Sequence, residues 1–176
     1  MTPFNLFFYK SILILFLLRA WITGSLTAAP AVGARETGSL QMDQWRCEPT
    51  PEDSLGPFYE PGAPVRSSVG TGYELRGEVK SARDCSAISN ARIELWLAGP
   101  DGEYDDDHRA VVLSDEYGRY SFESNVPPPY SFRPPHIHIR VTSPGYEDLV
   151  TQHYPERGAR EATFELVLAP RSGSNV

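Results

Sequence analysis

From residue 73 onward the chain alternates apolar and polar positions with a period of two. In 73–79 the alternation puts Tyr73, Leu75, Gly77 and Val79 on one side, and in 91–98 it sets Ile93, Leu95 and Leu97 against Arg92, Glu94 and Trp96. Successive side chains on a strand point to opposite faces, so each run predicts a strand with one face in a core. Further runs at 109–113, 118–123, 136–142, 149–152 and 162–168 bring the count to about seven to eight. Asp115-Glu116-Tyr117-Gly118, between two of these runs, predicts a hairpin turn. With 16 Pro and 14 Gly the chain is punctuated too often for long helices. The predicted class is all-β: an antiparallel β-sandwich with few or no helices after the N-terminal segment.

The first 34 residues break this pattern. Lys10 precedes the apolar run Ile12 to Leu18, and small residues follow, ending in Ala31-Val32-Gly33-Ala34. A cation, a short apolar stretch and a Val-x-Ala ending are the parts of a secretory signal. The expectation is a secreted, periplasmic or extracellular protein, with membrane anchoring the lesser alternative. The apolar run is too short for a stable membrane span. Residues 35–72 show no sustained period but carry recurring aromatic and apolar residues, and are expected to form an ordered arm around the domain. The organisation expected is a signal at 1–34, the arm at 35–72, a β-sandwich catalytic domain at 73–170 and a tail at 171–176.

Charge and cysteine count narrow the picture further. The formal charge is −7, and without 1–34, which carries Lys10 and Arg19 and no acid, it becomes −9. No basic stretch interrupts that balance, which argues against nucleic acid as a partner. Cys47 and Cys85 are the only thiols. An even count in an exported chain suggests one disulfide, closing a 38-residue loop, and neither cysteine has the CxxC spacing of a metal or redox site.

The candidate chemistry begins at His136-Ile137-His138, where positions i and i+2 of a strand project both imidazoles to one face while Ile137 and Ile139 enter the other. Two neighbouring imidazoles suit iron, copper, zinc or nickel. Arg133-Pro134-Pro135 leads into them with a φ-restricted approach. Two turn segments, Gly102-Glu103-Tyr104 and Pro127-Pro128-Pro129-Tyr130, end in tyrosines. A phenol is a poor ligand at its ordinary pKa near 10, but a trivalent metal stabilises the phenolate directly. Two phenolates and two imidazoles favour Fe(III) over Zn(II) or Fe(II). Trp45 and Trp96 are expected in the core, and His108 and His153 at the surface or beside the site.

These residues resemble the intradiol ring-cleavage dioxygenases, the family of protocatechuate 3,4-dioxygenase and catechol 1,2-dioxygenase. The likeness runs from about Cys47 to Leu168. It rests on Thr50-Pro51, Gly56-Pro57-Phe58-Tyr59, Gly77-Glu78-Val79, Ala91-Arg92-Ile93-Glu94-Leu95-Trp96, Gly102-Glu103-Tyr104, Asp115 with Gly118-Arg119-Tyr120, Pro129-Tyr130 and Leu149-Val150-Thr151-Gln152. Its most specific piece is Arg133-Pro134-Pro135-His136-Ile137-His138. The resemblance implies Fe(III) held by Tyr104, Tyr130, His136 and His138, with Tyr130 the ligand a catechol displaces. It implies Arg133 and Gln152 as the catalytic side chains beside the substrate. The implied reaction opens a catechol ring with O2 between the two hydroxylated carbons, giving a cis,cis-muconate-type diacid.

Three features depart from the better-known members. The sequence is not expected to form the long N-terminal helical segment used for dimerisation in catechol 1,2-dioxygenases, five residues separate Tyr130 from His136 where the bacterial enzymes have more, and export is expected where the familiar enzymes are cytoplasmic. The shorter loop suggests a more open pocket. The alternative from another class is a non-catalytic transthyretin-like binding module, which shares the strand pattern but has no need of the tyrosines, histidines, arginine and glutamine. A cupin-like Fe(II) site would need a carboxylate and a third histidine on a later strand, and only His153 follows His138.

Overall fold

The computed structural model describes residues 45–129 and 132–173. The alternating runs form eight strands: β1 (Tyr73–Ser81), β2 (Arg92–Leu97), β3 (Arg109–Leu113), β4 (Arg119–Ser124), β5 (Ile137–Thr142), β6 (Leu149–His153), β7 (Glu161–Thr163) and β8 (Leu166–Leu168). The run 162–168 is thus two strands, interrupted where Phe164 donates its N–H to the Arg76 carbonyl (2.8 Å) and accepts the Tyr120 hydroxyl (2.7 Å). Among the described residues the helical content is a single 3-10 turn, Asp106–His108, capped by the Asp105 carboxylate. No helix among them is long and apolar enough to cross a membrane, and the predicted export segment 1–34 lies outside the described residues.

The strands form two four-stranded sheets. One has the order β3-β2-β5-β6 and is antiparallel throughout. In the other, β4 pairs antiparallel with β1, while β7 and β8 share the far edge of β1 and run parallel to it. The predicted reversal at Asp115–Gly118 exists, with the Gly118 N–H on the Asp115 carbonyl (3.0 Å), but it does not make a hairpin. β3 pairs with β2 and β4 with β1, so the turn carries the chain from one sheet to the other. Turn chemistry sets the reversal; the burial of each strand's apolar face sets its neighbour.

Between the sheets lie Ile93, Leu95 and Leu97 of β2, Ile137, Ile139 and Val141 of β5, Leu75 and Val79 of β1, Phe122 of β4 and Leu166 and Leu168 of β8, each at most 1% exposed. Side chains of this size contribute about 1.5–3 kcal/mol apiece on burial. The period of two then sends their neighbours to the opposite, outer face of the β3-β2-β5-β6 sheet. The register places Trp96 beside His138 and His138 beside Gln152, with Glu94 beside Arg140 one row along.

An N-terminal arm covers that outer face. The disulfide Cys47–Cys85 (Cα–Cα 5.4 Å) fastens its start, as the cysteine count suggested. The N–H groups of Thr50 and Asp53 then bond to the carbonyls of Val167 (3.1 Å) and Val150 (2.9 Å). Further along, the Tyr59 hydroxyl donates to Glu94 (3.0 Å). Glu94 is only 5% exposed, and Arg140 (3.0 Å) and Arg92 (3.0 Å) balance its charge. A buried carboxylate without such partners would be costly, so the arm and these arginines stabilise each other's placement.

Candidate metal centre

His136 and His138 project to the same outer face, as their spacing predicts, and Ile137 between them is fully buried in the core. The two imidazoles are 3% and 2% exposed, with ring centroids 4.7 Å apart and planes at 75°. His136 Nδ1 lies 2.8 Å from the Pro134 carbonyl, which can only accept, so Nδ1 carries a proton and, in the neutral ring, Nε2 presents the lone pair. That Nε2 points at the hydroxyl of Tyr104, 3.3 Å away. The stiff Pro134-Pro135 approach therefore sets the histidine's tautomer as well as its direction.

His138 sits deeper. The Trp96 indole stacks on it at 4.9 Å with the planes 3° apart, and Tyr59 packs edge-on against Trp96 at 5.1 Å. Gly56, whose φ is +74°, also lies against the ring; a Cβ there would stand 2.7 Å from His138 Cε1. Burial, aided by the proximity of His136, pushes the His138 pKa down to about 4, so the ring stays neutral and able to ligate. Its Nδ1 is buried without a well-formed hydrogen bond. Tyr104 approaches His138 at 6.0 Å between ring centroids and is itself stacked on Phe58 at 4.4 Å.

The arrangement brings the Tyr104 phenol together with the imidazoles of His136 and His138. Among the described residues no three His, Cys, Asp or Glu side chains gather at one point, so a metal bound here would need the tyrosine as donor. The donors on offer are the Tyr104 phenol oxygen, the His136 Nε2 aimed at it and the neutral imidazole of His138, one oxygen and two nitrogens that fit a transition-metal ion. Tyr130, the fourth expected ligand, lies outside the described residues.

Arg133 and Gln152, expected beside the substrate, meet at this cluster. Arg133 Nη2 donates to Gln152 Oε1 (2.8 Å) and to the Tyr154 hydroxyl (2.7 Å). Gln152 Nε2 donates to the Ser54 carbonyl on the arm, which fixes the amide orientation. Tyr154 follows Gln152 on the same face, with its ring 6.1 Å from that of His136.

Other expectations need correcting. Trp96 is buried but not in the core: it shares the polar side of β2 with Glu94 and Arg92 and forms the wall behind His138. That alternation was the signal for it. Trp45 is 36% exposed and not in the core. His153 is neither at the surface nor beside the metal-side cluster. It faces the inner layer, where the Tyr73 hydroxyl lies 2.6 Å from its Nε2 and burial pushes its pKa down to about 4. His108 is half-buried and bonds to the Asp105 carboxylate (2.7 Å). Asp53, Gly56, Phe58 and Tyr154 also shape the cluster; the Gly56-Pro57-Phe58-Tyr59 string was legible only as part of a motif, and Asp53 and Tyr154 carried no local signal. A cleft of about 450 Å³, lined in part by Val112, Leu113 and Tyr120, lies elsewhere, with Arg119 paired to Asp115 (2.8 Å) in its wall.

No family model matches the chain. It is 29% identical over 137 residues to a chlorocatechol 1,2-dioxygenase of Pseudomonas sp. (strain P51), an alignment covering 58% of this chain and 54% of that protein. To a catechol 1,2-dioxygenase of Candida albicans it is 31% identical over 137 residues, covering 57% and 45%. The chain thus spans about half the length of these curated relatives. Among solved structures it resembles the dioxygenase domain of a dioxygenase–carbohydrate-binding protein fusion from Streptomyces sp. SirexAA-E. The TM-score is 0.62 at 26% identity, over 70% of this chain and 99% of that one. The likeness to the intradiol ring-cleavage dioxygenases therefore holds at two levels: the chain's homologues are chlorocatechol and catechol 1,2-dioxygenases, and its all-β fold is that of dioxygenases of known structure.

Proposed function

We propose that this protein is a non-haem Fe(III) dioxygenase that opens a catechol-type ring with O2 between its two hydroxylated carbons, giving a cis,cis-muconate-type diacid. The observation that carries this reading is the meeting of the Tyr104 hydroxyl with the lone-pair nitrogen of His136, with neutral His138 alongside. Tyr104, His136 and His138 would hold the metal, with Tyr130 as the fourth ligand. Ferric iron, when bound, supplies Lewis-acid activation of the catecholate and the redox flexibility needed for reaction with O2.

The chain's own residues do the rest. The Pro134 carbonyl keeps His136 in the ligating tautomer, and the Trp96 stack and the Gly56 backbone hold His138 against rotation. Arg133 is a fixed positive charge at the edge of the cluster, suited to stabilising negative charge that develops on the ring. Gln152, held by Ser54 on one side and Arg133 on the other, presents a rigid amide. The segment 1–34 would export the protein, a setting in which the Cys47–Cys85 bridge is stable. A transthyretin-like sandwich would explain the strands and leave this buried polar cluster without a purpose.

Oxygen uptake by the iron-loaded protein against a panel of catechols, with product identification, tests the proposal. Consumption of one O2 per ring-opened diacid is expected. A colourless protein holding stoichiometric zinc, or one that turns over no catechol, would sink it.

A further inference from the structure

We propose that Asp53, on the arm, acts through the hydroxyl of Tyr154 to position Arg133 and Gln152, making the arm a working part of the site and not only its cover. For the role of Arg133 this rests on the dioxygenase reading; for the coupling it rests on hydrogen-bond geometry alone.

The chain of contacts has a direction. The Tyr154 oxygen accepts from Arg133 Nη2 (2.7 Å), so its own proton points elsewhere. The shorter of its two acceptors is Asp53 Oδ2 at 2.8 Å, against 3.1 Å for Gln152 Oε1. The other carboxylate oxygen, Asp53 Oδ1, takes the Ser54 N–H at 2.6 Å, and the Asp53 N–H is itself tied to the Val150 carbonyl of β6 at 2.9 Å. Ser54 in turn accepts from Gln152. Two consecutive arm residues therefore hold both partners of the Arg133 guanidinium, and a neutral phenol separates the cation from the carboxylate. Both bonds from Arg133 to these partners are made by its Nη2.

The protonation states agree with this direction. Burial works against ionisation of Asp53, but the Ser54 N–H, the Tyr154 hydroxyl and the Arg133 charge outweigh it and hold the carboxyl below its ordinary range. Burial and the Asp53 carboxylate together raise Tyr154, keeping it a donor. Tyr154 is 38% exposed and Asp53 is also exposed, so the network adds little to stability. What it supplies is orientation, and that separates it from a structural contact.

Tyr154→Phe and Asp53→Ala in the full chain test this. Both variants are expected to melt with the parent, keep the parent's metal content and catechol-induced colour shift, and keep KM. Their kcat should fall roughly tenfold to a hundredfold, the size expected when a charged group is mis-set by about an ångström. Asp53→Asn, which retains an acceptor, should recover part of the loss, and Asp53→Ala should cost nothing more in the Tyr154→Phe background. A readout independent of turnover is the ¹⁵N signal of the Arg133 side chain in metal-free protein, identified by its loss in Arg133→Lys. Its exchange with water should quicken severalfold in both variants. Unchanged exchange in Asp53→Ala would overturn the coupling, and a parallel collapse of Tm and metal content would show the network to be structural instead. A parent that cleaves no catechol would refute the dioxygenase reading while the exchange measurement still decides the coupling.

Discussion

Replacing Gly56 by alanine probes the seat of His138 directly. Two penalties combine at this position. A φ of +74° costs an L-residue about 1–2 kcal/mol. The new methyl would also stand 2.7 Å from His138 Cε1, a contact neither partner can easily relieve. The ring is clamped by Trp96 behind it, and the arm is tied down on the N-terminal side of Gly56 by the Asp53–Val150 bond and the disulfide. Overpacking of this kind costs about 1–3 kcal/mol. Gly62 separates the two penalties, since it sits at φ +89° with nothing within 4 Å of the place a methyl would occupy. Gly62→Ala should thus show the backbone cost alone. For a domain of this size 1 kcal/mol moves Tm by about 4 °C, so Gly56→Ala should melt roughly 4–12 °C below Gly62→Ala. The assay is thermal unfolding of both metal-free variants by circular dichroism, with iron content measured after loading; only Gly56→Ala should lose iron. Equal melting temperatures and equal iron would show that the arm yields at Gly56, and the argument that it clamps His138 would fail.

Tyr104→Phe removes the phenol oxygen that meets His136 Nε2, and should cut iron content severalfold while leaving Tm within about 2 °C, because the ring keeps its stack on Phe58; metal analysis and melting check both. Cys47 and Cys85 should resist alkylation until reduced, and Cys85→Ser should lower stability by about 2–4 kcal/mol in chemical denaturation, since the bridge closes a loop of 38 residues. His153 has a folded pKa of about 4, against about 6.5 in the unfolded chain, so the unfolded state alone takes up its proton between these values. Stability of the metal-free protein should therefore fall as pH drops from 6.5 towards 4, by about 2 kcal/mol from this residue, and guanidinium titrations of His153→Leu should show a flatter slope over that window.

Much of the fold was legible because a half-buried strand writes its burial into a period of two. All eight strands overlap the seven predicted runs to within two residues at either end, and the pairing of Ile137 with the core and His136 and His138 with the outer face follows from that period alone. What it cannot express is which strand meets which. The turn at Asp115–Gly118 reverses the chain whether its flanking strands pair with each other or part to different sheets. The parallel entry of β7 and β8 alongside β1 is likewise decided by the path of the chain after β6, not by any residue in those strands.

The same division runs through the site. By itself the sequence determined that two imidazoles share a face, that a stiff proline pair precedes them, that Tyr104, Arg133 and Gln152 stand in a recognisable order, and that two cysteines were available to bridge. Those are statements about spacing along one strand or about a motif read in order. Only the tertiary structure decided that Trp96 is paired with His138 and stacks on it, that His153 turns inward to Tyr73, and that Asp53 and Gly56 reach the cluster from an arm with no period of its own. Each of these depends on contacts between residues far apart in the chain, where register across the sheet and the arm's anchoring bonds, and not local preference, select the neighbour.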